Sequence, residues 1–259
     1  MPDRPPRLID LRVDWFAQYA GEAPPFDRFP PVPGRLGQLD GYLGATSAAF
    51  LSIDAALIPR AEAEFAGRLL AGPEDYRRWL DDPDGLTWAV LEIEGGSDLP
   101  GLFRRGVRSY RPLDGFKTHI GTLINLSEPG ARPIVDLSGL GVEALDWFEA
   151  DASRPDALVP LWGRGPVDAA TAARVRALGG FVAVALGGGT VDTIRERIVA
   201  AGGPDRLVLA TGFLGSDDTT AGMADAPAVI KTVMDGFDDA ARLLFENGKA
   251  LIERSVGGK

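Results

Sequence analysis

The chain has 259 residues, and its hydrophobic content of 45% is enough for one large α/β domain or two small ones. A net charge of −10 disfavours nucleic acid and anionic membranes as partners, because clustered Lys and Arg drive binding to both. Cysteine is absent and His119 is the single histidine, which excludes disulfides, thiolate chemistry and any metal site that needs two imidazoles.

No targeting or membrane signal is evident in the sequence. The N-terminus is polar and rich in proline, and no run approaches the roughly 18 apolar residues of a membrane span. We therefore expect a cytoplasmic protein without membrane contact.

Strand-like and helix-like segments alternate along the chain. A Pro/Gly-rich stretch, 21–40, is typical of a long surface loop. Apolar runs predict strands at 8–13, 46–53, 86–93, 107–111, 133–137, 157–161, 181–186 and 206–210. Periodic spacing predicts helices at 62–80 with a break near 72–73, 98–105, within 115–130, 142–149, 168–178, 191–201, 226–235 and 237–254.

This alternation is typical of parallel βαβ units, and about eight such units in this length predict a (β/α)8 TIM barrel. We expect a single domain spanning 1–259. A doubly wound open sheet is the alternative, but no G-x-G-x-x-G follows the first strand.

In a TIM barrel, chemistry is located where the strands end. The strand ending at Glu94 is followed by two glycines, so a tight turn presents this carboxylate at the barrel mouth. The other positions to inspect are Asp14, Asp54, Arg111 or Asp114, Asp136 to Gly139, Trp162, Gly187 to Gly189, and Thr211 with Gly212. The glycines at 187–189 form either a phosphate cradle or a plain tight loop.

Several stretches resemble, in the same order, motifs of the membrane (renal) dipeptidases, which are zinc peptidases of the amidohydrolase-like barrel superfamily. The resemblance runs from the first strand almost to the C-terminus. The stretches that carry it are 91–99 (LEIEGGSDL), 103–110 (FRRGVRSY), 133–138 (PIVDLS), 178–184 (LGGFVAV) and 246–251 (ENGKAL).

The resemblance implies a binuclear zinc centre bridged by a glutamate, whose position here is Glu94. The family's Asp-x-His-x-Asp run matches residues 10–14, so Arg12 stands where the family has histidine, and Asp14 remains. Three further metal or catalytic positions, and a substrate-contacting histidine, lack the family's residue types. They fall at Gly139, Trp162, Gly212 and Asp114.

Zinc prefers nitrogen or sulfur donors, and a permanently protonated guanidinium stands where a dication is expected. Our hypothesis is therefore that Arg12, Asp14 and Glu94 form a metal-free ionic cluster, and we expect no cofactor. Trp162 either stacks on a ligand or fills the space left by zinc and its histidines. The predicted ligand-binding positions at the barrel mouth are Arg12, Asp14, Glu94, Asp136, Gly139, Trp162 and Gly212.

Three functions remain open from the sequence. The first is a catalytically degenerate dipeptidase homologue with a pocket for a small molecule or a protein partner; a homodimer is open, because relatives often form dimers. The second is an active hydrolase with a reduced metal site built from Asp14, Glu94 and Asp136. The third is a phosphate-binding barrel that uses the loops after strands seven and eight.

Overall fold

The computed structural model describes residues 7–13, 46–82, 87–95, 98–113, 121–125, 132–151, 153–164, 167–186, 191–211 and 226–257, without the side chains of Arg12 and of residues 226–229. Several sequence predictions therefore fall outside the described residues. These are the loop at 21–40, Asp14, Asp114, His119, the glycines of 187–189, and Gly212.

Eight parallel strands form one sheet in which each strand is hydrogen-bonded to the next along the chain. With helices between the strands, the sheet curls into a nearly closed barrel, which confirms the predicted (β/α)8 fold. The strands are β1 (Leu8–Val13), β2 (Thr46–Ile53), β3 (Trp88–Glu94), β4 (Val107–Arg111), β5 (Ile134–Asp136), β6 (Val159–Trp162), β7 (Phe181–Ala185) and β8 (Leu207–Ala210).

Side-chain hydrogen bonds connect the end of β8 to β1. The Thr211 backbone N–H donates to Asp10 Oδ1 at 2.9 Å, and the Thr211 hydroxyl donates to Asp10 Oδ2. Both residues are buried, so these bonds join the first and last strands inside the protein.

Helices follow most of the strands and cover the outside of the sheet. A short 3₁₀ turn (Ala55–Leu57) precedes the first helix, and a π-helical turn (Arg242–Glu246) precedes the last. The helices are α1 (Ile58–Glu64), α2 (Pro73–Asp81), α3 (Leu99–Arg104), α4 (Val142–Glu149), α5 (Ser153–Ala157), α6 (Ala169–Ala177), α7 (Val191–Ala200), α8 (Ala226–Gly236) and α9 (Asn247–Val256). No helix among the described residues is both long and apolar enough to cross a membrane.

Two sequence predictions were wrong in detail. The helical segment predicted at 62–80, with a break near 72–73, is two helices, α1 and α2, and α2 begins at Pro73, next to the predicted break. The residues between them are not helical, because residues 68–70 pair with β3 through backbone bonds of Arg68 and Leu70 to Ala89. The strand predicted at 157–161 begins at Val159, since residues up to Ala157 belong to α5. In the first case, tertiary pairing overrides the local pattern.

Alternation along the strands produces two apolar layers. Leu91 and Ile93 belong to the layer that includes the helix residues Ile58 and Phe65, so these strand residues face outward. Phe50 and Val90, one residue out of phase, belong to a second apolar cluster and project from the other face of the sheet, towards the inside of the barrel. Residues in phase with Phe50 and Val90, nearer the carboxyl ends of β2 and β3, also project from the inner face.

Candidate functional site

A layer of polar side chains lies on the inner face of β2, β3 and β4 near their carboxyl ends. In the strand register, Ser52 is opposite Glu92, Glu92 is opposite Ser109, and Glu94 is opposite Arg111. Residues paired in this way project from the same face of a parallel sheet, so these side chains converge on the barrel mouth.

Two guanidinium groups hold the Glu94 carboxylate. Arg111 donates its Nη1–H to Glu94 Oε1, and Arg164 Nη1 lies 2.7 Å from the same oxygen. The Glu94 side chain is 35% exposed, whereas Arg111 and Arg164 are 20% and 16% exposed. The carboxylate that resembles the family's bridging ligand is therefore paired with two fixed positive charges.

Arg164 connects the loop after β6 to the inner layer. Its Nη2 donates to Glu92 Oε1 at 3.1 Å and to Ser52 Oγ at 3.0 Å. Its backbone N–H donates to Ser138 Oγ at 3.0 Å, which fixes the start of its loop. One guanidinium therefore links β2 and β3 from a distant part of the chain.

Glu92 is buried, with 4% of its surface exposed, two residues before Glu94. Its second oxygen accepts a bond of 2.8 Å from Ser109 Oγ. Burial raises the pKa of Glu92, and the charge of Asp136 raises it further, while Arg164 and Ser109 oppose the increase. Glu92 is therefore a carboxyl group for which the protein disfavours the charged form.

Asp136 positions two loops at the end of β5. Its Oδ1 accepts bonds from Ser138 N at 3.0 Å, Ser138 Oγ at 2.6 Å and Gly163 N at 2.9 Å. A Cβ at residue 163 would lie 2.6 Å from Asp136 Oδ2, so the site requires glycine there. These bonds give Asp136 a structural task, because they fix the loops that carry Ser138 and Arg164.

The predicted site residues do not all come together. Glu94 and Asp136 line the mouth, and Gly139 borders Arg111. Trp162 does not join them: it is in register with Val182, and both belong to the outward-facing apolar layer. Because side chains alternate along a strand, the residues on either side of Trp162 face inward and Trp162 itself faces outward. Trp162 therefore packs between the sheet and the helices rather than at the mouth.

The backbone of Arg12 lies in β1, and its side chain is outside the described part of the chain. Regular alternation along β1 would place Arg12 and Asp14 on the same face as Asp10. A register shift between Asp10 and Val13 interrupts this alternation, since three steps on β1 match two on β2. Such a bulge changes which face successive side chains occupy.

Sequence reasoning missed Glu92 and Arg164. Glu92 could have been identified from the sequence, because a carboxylate inside an otherwise apolar, buried strand is unusual unless it is paired. No sequence pattern indicated Arg164, because it lies in a loop and its partners Ser52 and Glu92 are more than 70 residues away in sequence.

The described residues do not fit the family's binuclear zinc centre. The Glu94 carboxylate is ion-paired with two guanidiniums, and Gly139 has no side chain that could ligate a metal ion. Among the residues that the structure covers, no group of three or more His, Cys, Asp or Glu side chains is arranged to hold a metal. A reduced site using Asp136 is disfavoured as well, because Asp136 already accepts three hydrogen bonds.

Comparison with solved structures places this fold among known ones. The chain is similar to the crystal structure of a dipeptidase described as a metallopeptidase of family M19, with a TM-score of 0.71 and 14% sequence identity over 98% of this chain and 100% of that one. No family model matches the sequence, and no curated protein does either.

The protein therefore has the fold of an α/β barrel of the (β/α)8 class. More particularly, its barrel is similar in fold to that of an M19 dipeptidase, which agrees at the level of the fold with the resemblance seen in the sequence.

Proposed function

We propose that this protein is a dipeptidase-like barrel that has lost zinc-dependent peptide hydrolysis and retains a small-molecule pocket at its mouth. The observation that carries the proposal is the Glu94 carboxylate held between Arg111 and Arg164. In this arrangement, two guanidiniums provide the positive charge that metal ions provide in the family.

The electrostatics of the pair support a metal-free mouth. Guanidinium groups remain protonated in proteins, so Arg111 and Arg164 cannot lose their charge to accommodate a dication. A cation bound to Glu94 would have to displace both ion pairs while lying close to two like charges.

The other carboxylates of the mouth, Glu92 and Asp136, are not available as ligands for a hydrolytic metal ion. Glu92 is buried and engaged by Ser109 and Arg164, and Asp136 fixes two loops. A hydrolytic metal site needs an ion held by several ligands, with an open position for water. The described mouth instead consists of paired side chains, which suits binding better than hydrolysis.

Zinc content and dipeptide hydrolysis test the proposal together. The protein is incubated with zinc, dialysed, and assayed for bound metal and for cleavage of simple dipeptides. We expect substoichiometric zinc and no cleavage above background. Stoichiometric zinc, with hydrolysis abolished by Glu94→Gln, would overturn the proposal. Glu62→Gln is the matched control, since Glu62 pairs with Arg105 on a partly exposed surface outside the mouth.

Phosphate binding by the loops after β7 and β8 stays a prediction, because residues 187–190 and 212–225 lie outside the described part of the chain.

A further inference from the structure

Three arginines lie together at the amino-terminal end of the barrel, opposite the mouth. Arg132 comes two residues before β5, Arg206 directly precedes β8, and Arg254 belongs to α9. The amino ends of parallel barrel strands share one face, so Arg132 and Arg206 start from the same end of the molecule. The Arg132 N–H donates to the Ser255 carbonyl at 2.9 Å, which places Arg254 beside Arg132. We call these three arginines the basic triad.

The chain leading into β7 brings Arg206 and Arg254 together. Arg254 donates its Nη1–H to the Gly179 carbonyl, two residues before β7. The Arg206 guanidinium lies over the ring of Phe181, the first residue of β7, with Cζ 5.9 Å from the ring centroid. Burial lowers the pKa of Arg254, and the positive charges of Arg206 and Arg132 lower it further. The three cations are therefore close enough to repel one another.

The guanidiniums of the triad retain nitrogens that are free to bind a ligand. Within the described part of the chain, the Arg132 side chain makes no hydrogen bond or ion pair, and Arg206 makes one bond of 3.4 Å to the Arg176 carbonyl. All three arginines of the triad are partly exposed. The buried donors that lack a partner belong to other residues, so the unbonded nitrogens of the triad face solvent and a ligand oxygen can reach them.

The two carboxylates nearest to the triad in sequence have other partners. Asp205 forms an ion pair of 2.8 Å with Arg242, and Glu253 accepts a hydrogen bond from the Tyr76 hydroxyl. Among the described residues, no carboxylate forms an ion pair with the triad. Three clustered positive charges without acidic partners stand out in a chain with a net charge of −10, and an anion bound among them would offset their repulsion.

We propose that the basic triad binds a phosphate group, carried by free phosphate or by a phosphate ester of a small molecule. A phosphate has nearly two negative charges and three acceptor oxygens, so it can bind several guanidiniums at once, whereas a carboxylate has one charge and two oxygens. The triad lies at the opposite end of the barrel from Glu94, so this inference does not rest on the proposed function. It is also separate from the loops after β7 and β8, which belong to the mouth.

Inorganic phosphate and glycerol phosphate are the probes, titrated at constant ionic strength and followed by amide chemical shifts. We expect saturable shifts around Gly179 and Ser255. Binding of either probe supports the site, and the tighter of the two identifies the source of the phosphate group. Bound phosphate should also raise the midpoint of thermal unfolding, since a ligand that binds only the folded state stabilises it.

Arg132→Gln and Arg206→Gly remove one guanidinium each with little risk to the fold. The Arg132 side chain has no partner to lose in the described part of the chain, and Arg206 has a φ of 48°, a conformation that glycine adopts more easily than arginine. Each variant should lose about tenfold or more in phosphate affinity, since a charge-assisted hydrogen bond is removed. Without phosphate, Arg132→Gln should be at least as stable as the wild type, because repulsion within the triad is reduced.

Lys231→Gln is the matched control, because it removes one positive charge from an exposed ion pair with Asp235 on α8. Its phosphate affinity should equal that of the wild type. Three results would overturn the inference: no saturable binding of either probe, equal affinity in the wild type and both folded triad variants, or shifts confined to the carboxyl ends of the strands. The last result would place the anion at the mouth instead.

Discussion

Arg164 Nη1 lies 2.7 Å from Glu94 Oε1, so a residue that follows β6 is bound to the last residue of β3. The same guanidinium reaches the buried Glu92 two residues earlier, through Nη2. The loop after β6 is thereby attached to the opposite part of the barrel rim. Arg164 therefore forms ion pairs with both Glu92 and Glu94.

Replacing Arg164 by Met should destabilise the protein strongly. The change leaves Glu92 buried without its cation, and breaking one side of a buried ion pair costs about 3 kcal/mol. Adding Glu92→Gln should recover much of this loss, because the uncompensated charge is then removed as well. Urea unfolding of the two single variants and the double variant measures the coupling. Additive effects would show that the pair is not energetically linked.

The stability of the protein should depend on the raised pKa of Glu92. Near its ordinary value of 4.5, the unfolded chain releases the Glu92 proton while the folded chain still holds it. The contribution of Glu92 to the free energy of unfolding therefore falls as pH rises above 4.5, until the folded pKa is passed, by up to about 1.4 kcal/mol per pH unit.

Glu92→Gln cannot titrate, so the stability of the wild type relative to this variant should fall as pH rises above 4.5. Urea unfolding of both proteins across a pH series gives this difference directly. A relative stability that increases with pH would mean that Arg164 and Ser109 outweigh burial and hold the pKa below its ordinary value.

Gly163→Ala should destabilise the mouth, because the new Cβ would lie 2.6 Å from Asp136 Oδ2. The Asp136 side chain cannot easily move away, since its other oxygen, Oδ1, accepts three hydrogen bonds. We expect a loss of about 1–3 kcal/mol in thermal or urea unfolding. Gly72→Ala, whose added methyl group has no described atom within 4 Å beyond its chain neighbours, should change stability far less. Equal effects of the two substitutions would remove the argument for a crowded Asp136 site.

Asp10→Ala tests the connection between the first and last strands. The Thr211 N–H and hydroxyl would both lose this acceptor in a buried setting, at a cost of about 2–4 kcal/mol. Asp54→Ala removes a carboxylate that caps an exposed turn through the Ala56 N–H, and should cost about 1 kcal/mol. A smaller loss for Asp10 than for Asp54 would contradict this role in closing the barrel.

The sequence predicted the sheet well because parallel strands buried on both faces are continuous apolar runs. The bounds of β1, β2 and β4 match the prediction, and Asp168, the first residue of the helix predicted at 168–178, caps α6 by accepting from Thr171 N at 2.7 Å. These features depend on local patterns of a few residues, which a single sequence contains in full.

The partners of Glu94 could not be predicted in the same way. Alignment with family motifs drew attention to Arg12, whereas Arg111 and Arg164 reach Glu94 through strand register and loop placement. Trp162 shows the same limit, because a one-residue difference in alignment or strand phase moves a side chain between the mouth and the outer layer. Long-range register decides such contacts, and no local pattern encodes it.

The most direct test of the account is the zinc content of the wild type and Glu94→Gln after incubation with zinc and dialysis. If Arg111 and Arg164 occupy Glu94, the wild type should retain only substoichiometric zinc, and the substitution should not change the amount. One or two tightly bound zinc ions per chain in the wild type, lost in Glu94→Gln, would contradict the account.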